Sequence, residues 1–189
     1  MKKTILIIFA LIFLPVIAFS QCDYDKYSKL SYPEKFDDWK WSVKLNFEMD
    51  EPGEGISIDY SYNLDRASIE LKIYNRTFAT IEKKDLETEI DFITTDLYSR
   101  VVKETYTYVS PLKKLDSIVI NDTITLSQYT YDFEASKIVY TTFLYFTALN
   151  NNFVQAKLIF SKSGDNILNK TAPDEVIKLY KKILECTNQ

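Results

Sequence analysis

The chain has 189 residues, with 23 Lys and Arg against 27 Asp and Glu, a formal net charge of −4 and no histidine. Without histidine there is no Ser-His-Asp or Cys-His nucleophile system, no HExxH zinc site and no imidazole proton shuttle. With only three glycines neither G-x-x-x-x-G-K-[ST] nor G-x-G-x-x-G can be written, and the acidic balance has the wrong sign for a phosphate-backbone binder. Nucleic acid is therefore excluded as a partner, and no cofactor or metal motif is found.

The chain opens "MKKTILIIFALIFLPVIAFSQ": two lysines, an apolar run from Ile5 to Phe19, and an A-x-S ending at Ser20. This pattern predicts a secretory signal peptide over residues 1–20, and the run falls short of the roughly 20 apolar residues that span a bilayer. Removal of 20 from 189 leaves 169 residues, and loss of Lys2 and Lys3 leaves 21 basic and 27 acidic side chains, a charge of −6. The expectation is one exported domain over residues 21–189, periplasmic or extracellular, with no transmembrane segment in the mature chain. Cys22 follows the cleavage site and Cys186 stands near the other end. Three readings of Cys22 stand: a disulfide with Cys186, favoured by export out of the reducing cytosol, acylation that tethers the protein to the envelope, or a free thiol.

"WKWSVKLNFEM" alternates Trp39, Trp41, Val43, Leu45 and Phe47 with polar residues, which predicts a strand with that face buried. After a turn at "DEPGEG", "ISIDYSY" and "SIELKIY" repeat the period, predicting an antiparallel meander. The period then changes. Leu86, Ile90, Ile93, Leu97 and Val101 form one stripe of a helix near 85–104, with Asp85 as N-cap and Glu87 and Glu89 as acids suited to its first turns.

Strands resume in "TITLSQYTYDF", where the apolar phase slips near Ser127 and Gln128 and suggests a bulge or bend. "KIVYTTFLYFTAL" reads as a central strand covered on both faces, "NNN" at 150–152 as a hairpin turn, and "FVQAKLIFS" as the return strand. "TAPDEVIKLYKKILEC" predicts a helix near 172–186 capped by Thr171. The order β-β-β-α-β-β-β-α gives an α+β domain: a mainly antiparallel sheet of about six to seven strands with two main helices.

Tyr32, Pro33 and Trp39 in the lead-in, the helix after the first strands, the long three-strand meander and the closing helix together resemble the PsbP-like superfamily of small exported domains. The resemblance spans nearly all of the mature chain. It implies that layered fold and no shared active site; a cystatin-like sheet is the other arrangement compatible with this order.

Two functional readings follow. The first is a non-catalytic envelope or secreted domain that binds a protein or ligand through its sheet surface. Tyr60, Tyr62, Tyr106, Tyr108, Tyr129, Tyr131, Tyr140 and Tyr145 fall in strand-like segments, with Tyr106 and Tyr108 at the helix exit as the candidate surface. The second is a carboxylate-based hydrolase using Asp59 with Glu70, or Asp37 with Asp38. A structural subunit of an envelope assembly is a third. "CDYD" and "DEPGEG" supply oxygens without the spacing of a calcium loop.

Overall fold

Two antiparallel meanders meet at their inner strands to make one sheet, and the two helices cover its opposite faces. A computed structural model describes residues 22–62, 67–163 and 168–188; the expected signal peptide lies outside the described residues, as does the predicted "NLDR" turn at 63–66. The first meander comprises β3 (Lys35–Phe36), β4 (Trp39–Asn46), β5 (Ile56–Tyr62) and β6 (Ala67–Tyr74). The second comprises β10 (Ile124–Ala135), β11 (Ile138–Leu149) and β12 (Asn152–Ser161), flanked on β10 by the short β7 (Tyr108–Val109), β8 (Lys113–Lys114) and β9 (Ile118–Asn121). The sheet order is β3-β4-β5-β6-β12-β11-β10-β7, so β12 joins β6 across a long sequence separation. Six long strands carry the expected sheet, and the two helices α1 (Lys83–Val102) and α2 (Leu168–Thr187) complete the α+β domain.

The face under α2 holds the larger core. Val176, Leu179 and Ile183 are fully buried on it, each contributing about 2 kcal/mol by transfer out of water. They pack with Ile58, Ile69, Leu71, Ala156 and Leu158 of the sheet. Tyr180 spends its hydroxyl on the Val154 carbonyl at 2.9 Å, and the Trp39 indole donates to Glu175 at 2.9 Å, so the buried aromatic groups keep partners. The hairpin of β1 (Cys22–Asp25) and β2 (Leu30–Pro33) packs beside α2, where the Ser31 amide donates to Thr187 at 3.2 Å.

The turn at Asn150 and Asn151 is as expected, both residues having positive φ (47° and 59°), the geometry of a two-residue hairpin. Other local expectations are corrected. α1 begins before Asp85, which acts from the third helical position by accepting the Glu82 amide at 2.7 Å. α2 begins at Leu168, ahead of Thr171, and takes Pro173 inside the helix.

β10 has no bulge at Ser127 and Gln128, where its pairing with β11 is regular. Its apolar phase slips because Ile124 and Leu126 belong to the core under α2, whereas Tyr131 and Phe133 belong to the core under α1. One irregularity occurs instead at Ile124/Thr125, opposite β9.

The largest departure is in β4. A bulge between Trp41 and Val43 shifts the register, so Trp41 faces Tyr60 but Val43 faces Asp59. A one-residue shift turns the strand over. Val43, Leu45 and Phe47, predicted to be buried with the tryptophans, therefore lie on the α1 side of the sheet, 45%, 48% and 39% exposed.

Candidate functional site

α1 does not cover its whole face. Ile93 and Leu97 are buried against Tyr74, Leu144, Phe146 and Phe153, which leaves the β4–β5 half of that face open. Between the helix and this open half lies a cleft of about 650 Å³, inside the range of small-ligand sites. Its floor comes from β6 and β12 (Lys72, Tyr74, Gln155, Lys157) and one wall from α1 (Phe92, Asp96, Arg100). The other wall is the β4–β5 loop with Phe47, Glu51 and Glu54. That loop is held by Glu48, whose carboxylate accepts the amides of Gly53 and Gly55 at 3.0 Å. Gly55 has φ +64°, and a Cβ there would lie 1.9 Å from the Ile73 carbonyl oxygen, so only glycine lets the loop approach β6 this closely.

The two ends of the cleft differ in charge. At one, Glu89 is 2% exposed and accepts hydrogen bonds from the Tyr74 hydroxyl and the Arg76 guanidinium, both at 3.0 Å. Arg76 also reaches Glu54. Burial, with the Glu89 charge adding to it, pushes the Tyr74 phenol far above its usual range, so this hydroxyl stays a donor.

At the other end one carboxylate serves two lysines: Glu70 meets Lys72 at 3.2 Å and Lys157 at 3.3 Å. Burial pushes the Glu70 carboxyl up, but Lys157 and Lys72 outweigh it and hold the group below the ordinary glutamate value. Burial, opposed by the Glu70 charge, holds the Lys157 ammonium below its usual range, and the charges of Lys72 and Arg100 push the same way. Arg100 donates to Asp96 at 3.1 Å and lies over the Tyr106 ring at 5.7 Å from its centroid.

The structure brings together some of the residues singled out from the sequence. Cys22 and Cys186 form a disulfide-distance pair, with Cα atoms 5.8 Å apart. Asp59 and Glu70 are direct cross-strand neighbours. Burial and the Glu70 charge raise the Asp59 carboxyl, so the two acids shift in opposite senses, but neither lines the cleft and both Glu70 oxygens are taken by lysines. Asp37 is paired with Lys178 at 3.0 Å and Asp38 is exposed. Tyr106 packs on Phe133 at 4.4 Å between ring centroids, whereas Tyr108 is 51% exposed. Tyr60, Tyr131 and Tyr145 are buried, and Tyr62, Tyr129 and Tyr140 partly so.

Glu89, Gln155 and Lys157 were missed. Each is a polar residue inside an apolar period: Glu89 stands four residues before Ile93, and Gln155 and Lys157 share a strand face with Phe153 and Ile159. Among the described residues no group of three or more Asp, Glu, Cys or His side chains is placed to hold a metal ion, and no helix is long and apolar enough to cross a membrane.

The mainly antiparallel sheet with its two helices is a PsbP-like α+β fold. Among solved structures the chain is similar to cyanobacterial PsbP (CyanoP) from Synechocystis sp. PCC 6803, determined in solution. The two share 8% sequence identity with a TM-score of 0.53, over 88% of this chain and 94% of that one, a likeness of fold. No protein-family profile and no curated protein matches the sequence.

Proposed function

We propose that this protein is a non-catalytic, exported binding domain whose ligand occupies the cleft between α1 and the open half of the sheet. The observation that carries the reading is the cleft itself, about 650 Å³ and bordered by Phe47 and by Phe92, which is 58% exposed. Large aromatic side chains held at the mouth of a concavity are what a bound molecule desolvates. Export with removal of residues 1–20 fits the disulfide-distance pair, since such pairs persist in oxidising compartments. Tyr108, exposed beyond the end of α1, is the place for a contact with a protein partner.

The test is binding of a neutral solvatochromic dye, phenylnaphthylamine, followed by its fluorescence. Enhancement by the wild type and its loss in Phe92→Glu are expected, because that change puts a charge at the mouth without touching the core. A folded protein that gives no enhancement, or a Phe92→Glu variant that binds as well as the wild type, would remove the cleft as the site. The hydrolase alternative retains one observation, the opposed shifts of Asp59 and Glu70. Hydrolysis of aryl glycosides that disappears in Glu70→Gln would establish it in place of binding alone.

A further inference from the structure

We infer that the cleft takes an amphipathic carboxylate, a small molecule whose anionic head sits on Lys157 and whose apolar tail runs toward Phe47 and Phe92. The inference rests on the cleft being the binding site and names what it would bind.

Lys157 comes from β12 in the middle of the sheet, and its side chain is only 10% exposed. An ammonium has three donors. Lys157 uses one, toward Glu70 at 3.3 Å, which is long for a charge-assisted bond. A buried cation with unused donors costs free energy unless an acceptor arrives. The cleft is where an acceptor can reach it, because Lys157 lines it and both Glu70 oxygens are already shared between Lys72 and Lys157.

The charge count points the same way. Glu70 bridges Lys72 and Lys157, one anion for two cations, and Arg100 is balanced by Asp96. The groups that line this end, Lys72, Lys157 and Arg100 against Asp96, carry a surplus of two positive charges toward the cleft. The carboxylates of Glu70 and its neighbour Asp59 on β5 do not line the cleft. The opposite end carries Glu51, Glu54 and Glu89 against Arg76 alone, a surplus of two negative charges. Glu89 and Arg100 are eleven residues apart on α1, about 16 Å along its axis. An anionic head is therefore drawn to the Lys157 end and repelled from the other.

The tail follows from the β4 bulge, which sets Leu45 and Phe47 on the α1 side of the sheet, 48% and 39% exposed, with Phe47 bordering the cleft together with Phe92 of the helix. An acyl chain or an aromatic acid has the required combination of one charge and apolar surface.

The test compares dodecanoate, dodecanol and naphthoate as competitors of phenylnaphthylamine on the full mature protein. Dodecanoate is expected to bind about 30-fold more tightly than dodecanol, the effect of a buried charge pair. Lys157→Met should erase that preference, and Lys157→Arg should keep part of it. The tighter of dodecanoate and naphthoate identifies an acyl or an aromatic tail. If dodecanol binds as well as both acids, or Lys157→Met keeps the preference, the head-group assignment is wrong and the cleft stands. Failure of the dye itself to bind would instead strike the cleft reading. The acid–alcohol comparison needs no variant, so misfolding of Lys157→Met leaves the inference open to refutation.

Discussion

Arg76, in the turn that follows β6, donates to Glu89 on α1 through its Nη2 at 3.0 Å, and this ion pair ties the helix to the sheet. Glu89 is almost wholly buried, whereas the Arg76 side chain is 37% exposed and shared with Glu54. Removing the buried partner leaves one face of the guanidinium without an acceptor and the Tyr74 hydroxyl with only the longer bond to Gln155, at 3.3 Å. Glu89→Ala should cost about 3 kcal/mol, the low end for breaking a buried pair, because Arg76 keeps Glu54 and water. Glu89→Gln, which still accepts from Tyr74, should cost about half as much. Urea denaturation of the two variants checks both the size and the order. Equal, negligible losses would mean that α1 is held by Ile93 and Leu97 alone.

Glu89 also shows where sequence reading stops. The stripe Leu86, Ile90, Ile93, Leu97 and Val101 found the buried side of α1 correctly, and Ile93 and Leu97 are in the core. Helix periodicity says which side faces inward but not how a charge on that side is compensated. Glu89 was therefore assigned to the helix dipole, while its partners lie outside the helix, Tyr74 on β6 and Arg76 in the turn after it. Strand periodicity has the same limit. The pairing of Asp59 with Glu70 is local to one hairpin, whereas that of Glu70 with Lys157 spans 87 residues and depends on β12 joining β6. The β4 bulge was invisible because alternation continues through Trp39, Trp41, Val43, Leu45 and Phe47 without a break. Only the register, Trp41 to Tyr60 and Val43 to Asp59, reveals the reversal that supplies one lip of the cleft.

Tyr106 and Tyr108 are two residues apart and should behave differently. Tyr106 packs on Phe133 and lies under Arg100, so Tyr106→Ala should cost about 2 kcal/mol and loosen the Arg100 end of the cleft. Tyr108 is exposed, and Tyr108→Ala should stay within about 0.5 kcal/mol of the wild type. Thermal melts of the pair decide it. A Tyr108→Ala variant that loses as much stability as Tyr106→Ala would contradict the packing described.

The Cys22–Cys186 pair joins the first strand to the last helix across a sequence separation of 164 residues. In the loop-entropy description a bridge of that span stabilises the fold by up to about 5 kcal/mol, by restricting the unfolded chain. Reduction should therefore lower the urea midpoint strongly, and the intact mass should rise by two hydrogens. Native-host protein whose mass begins at Gln21 would place cleavage after Ser20; a mass beginning at an acylated Cys22 would establish the tether instead. An unchanged midpoint with and without reductant would show that the bond is not closed in solution.

Asp59 and Glu70 should give opposite pH dependences from adjacent positions. Burial first, and the Glu70 charge next, raise the Asp59 carboxyl, with Lys72 opposing. A raised acid favours the fold while protonated, below the ordinary aspartate value of about 3.9, and that contribution disappears as pH rises through the raised value. Glu70 is depressed, so it favours the fold above the ordinary glutamate value of about 4.3 and loses that contribution as pH falls through its lower folded value. Asp59→Asn removes a like charge directly across from Glu70 and should stabilise the protein by about 0.5 kcal/mol at neutral pH. Glu70→Gln leaves Lys157 buried without its anion and should cost about 3 kcal/mol under the same conditions. Both effects should shrink as pH falls and the wild-type carboxyls take up protons, with Asp59 protonated at a raised value and Glu70 at a depressed one. Denaturation curves for the two variants at neutral and acid pH measure this, and a stabilising Glu70→Gln would mean that the lysines at this end of the cleft do not need the carboxylate between them.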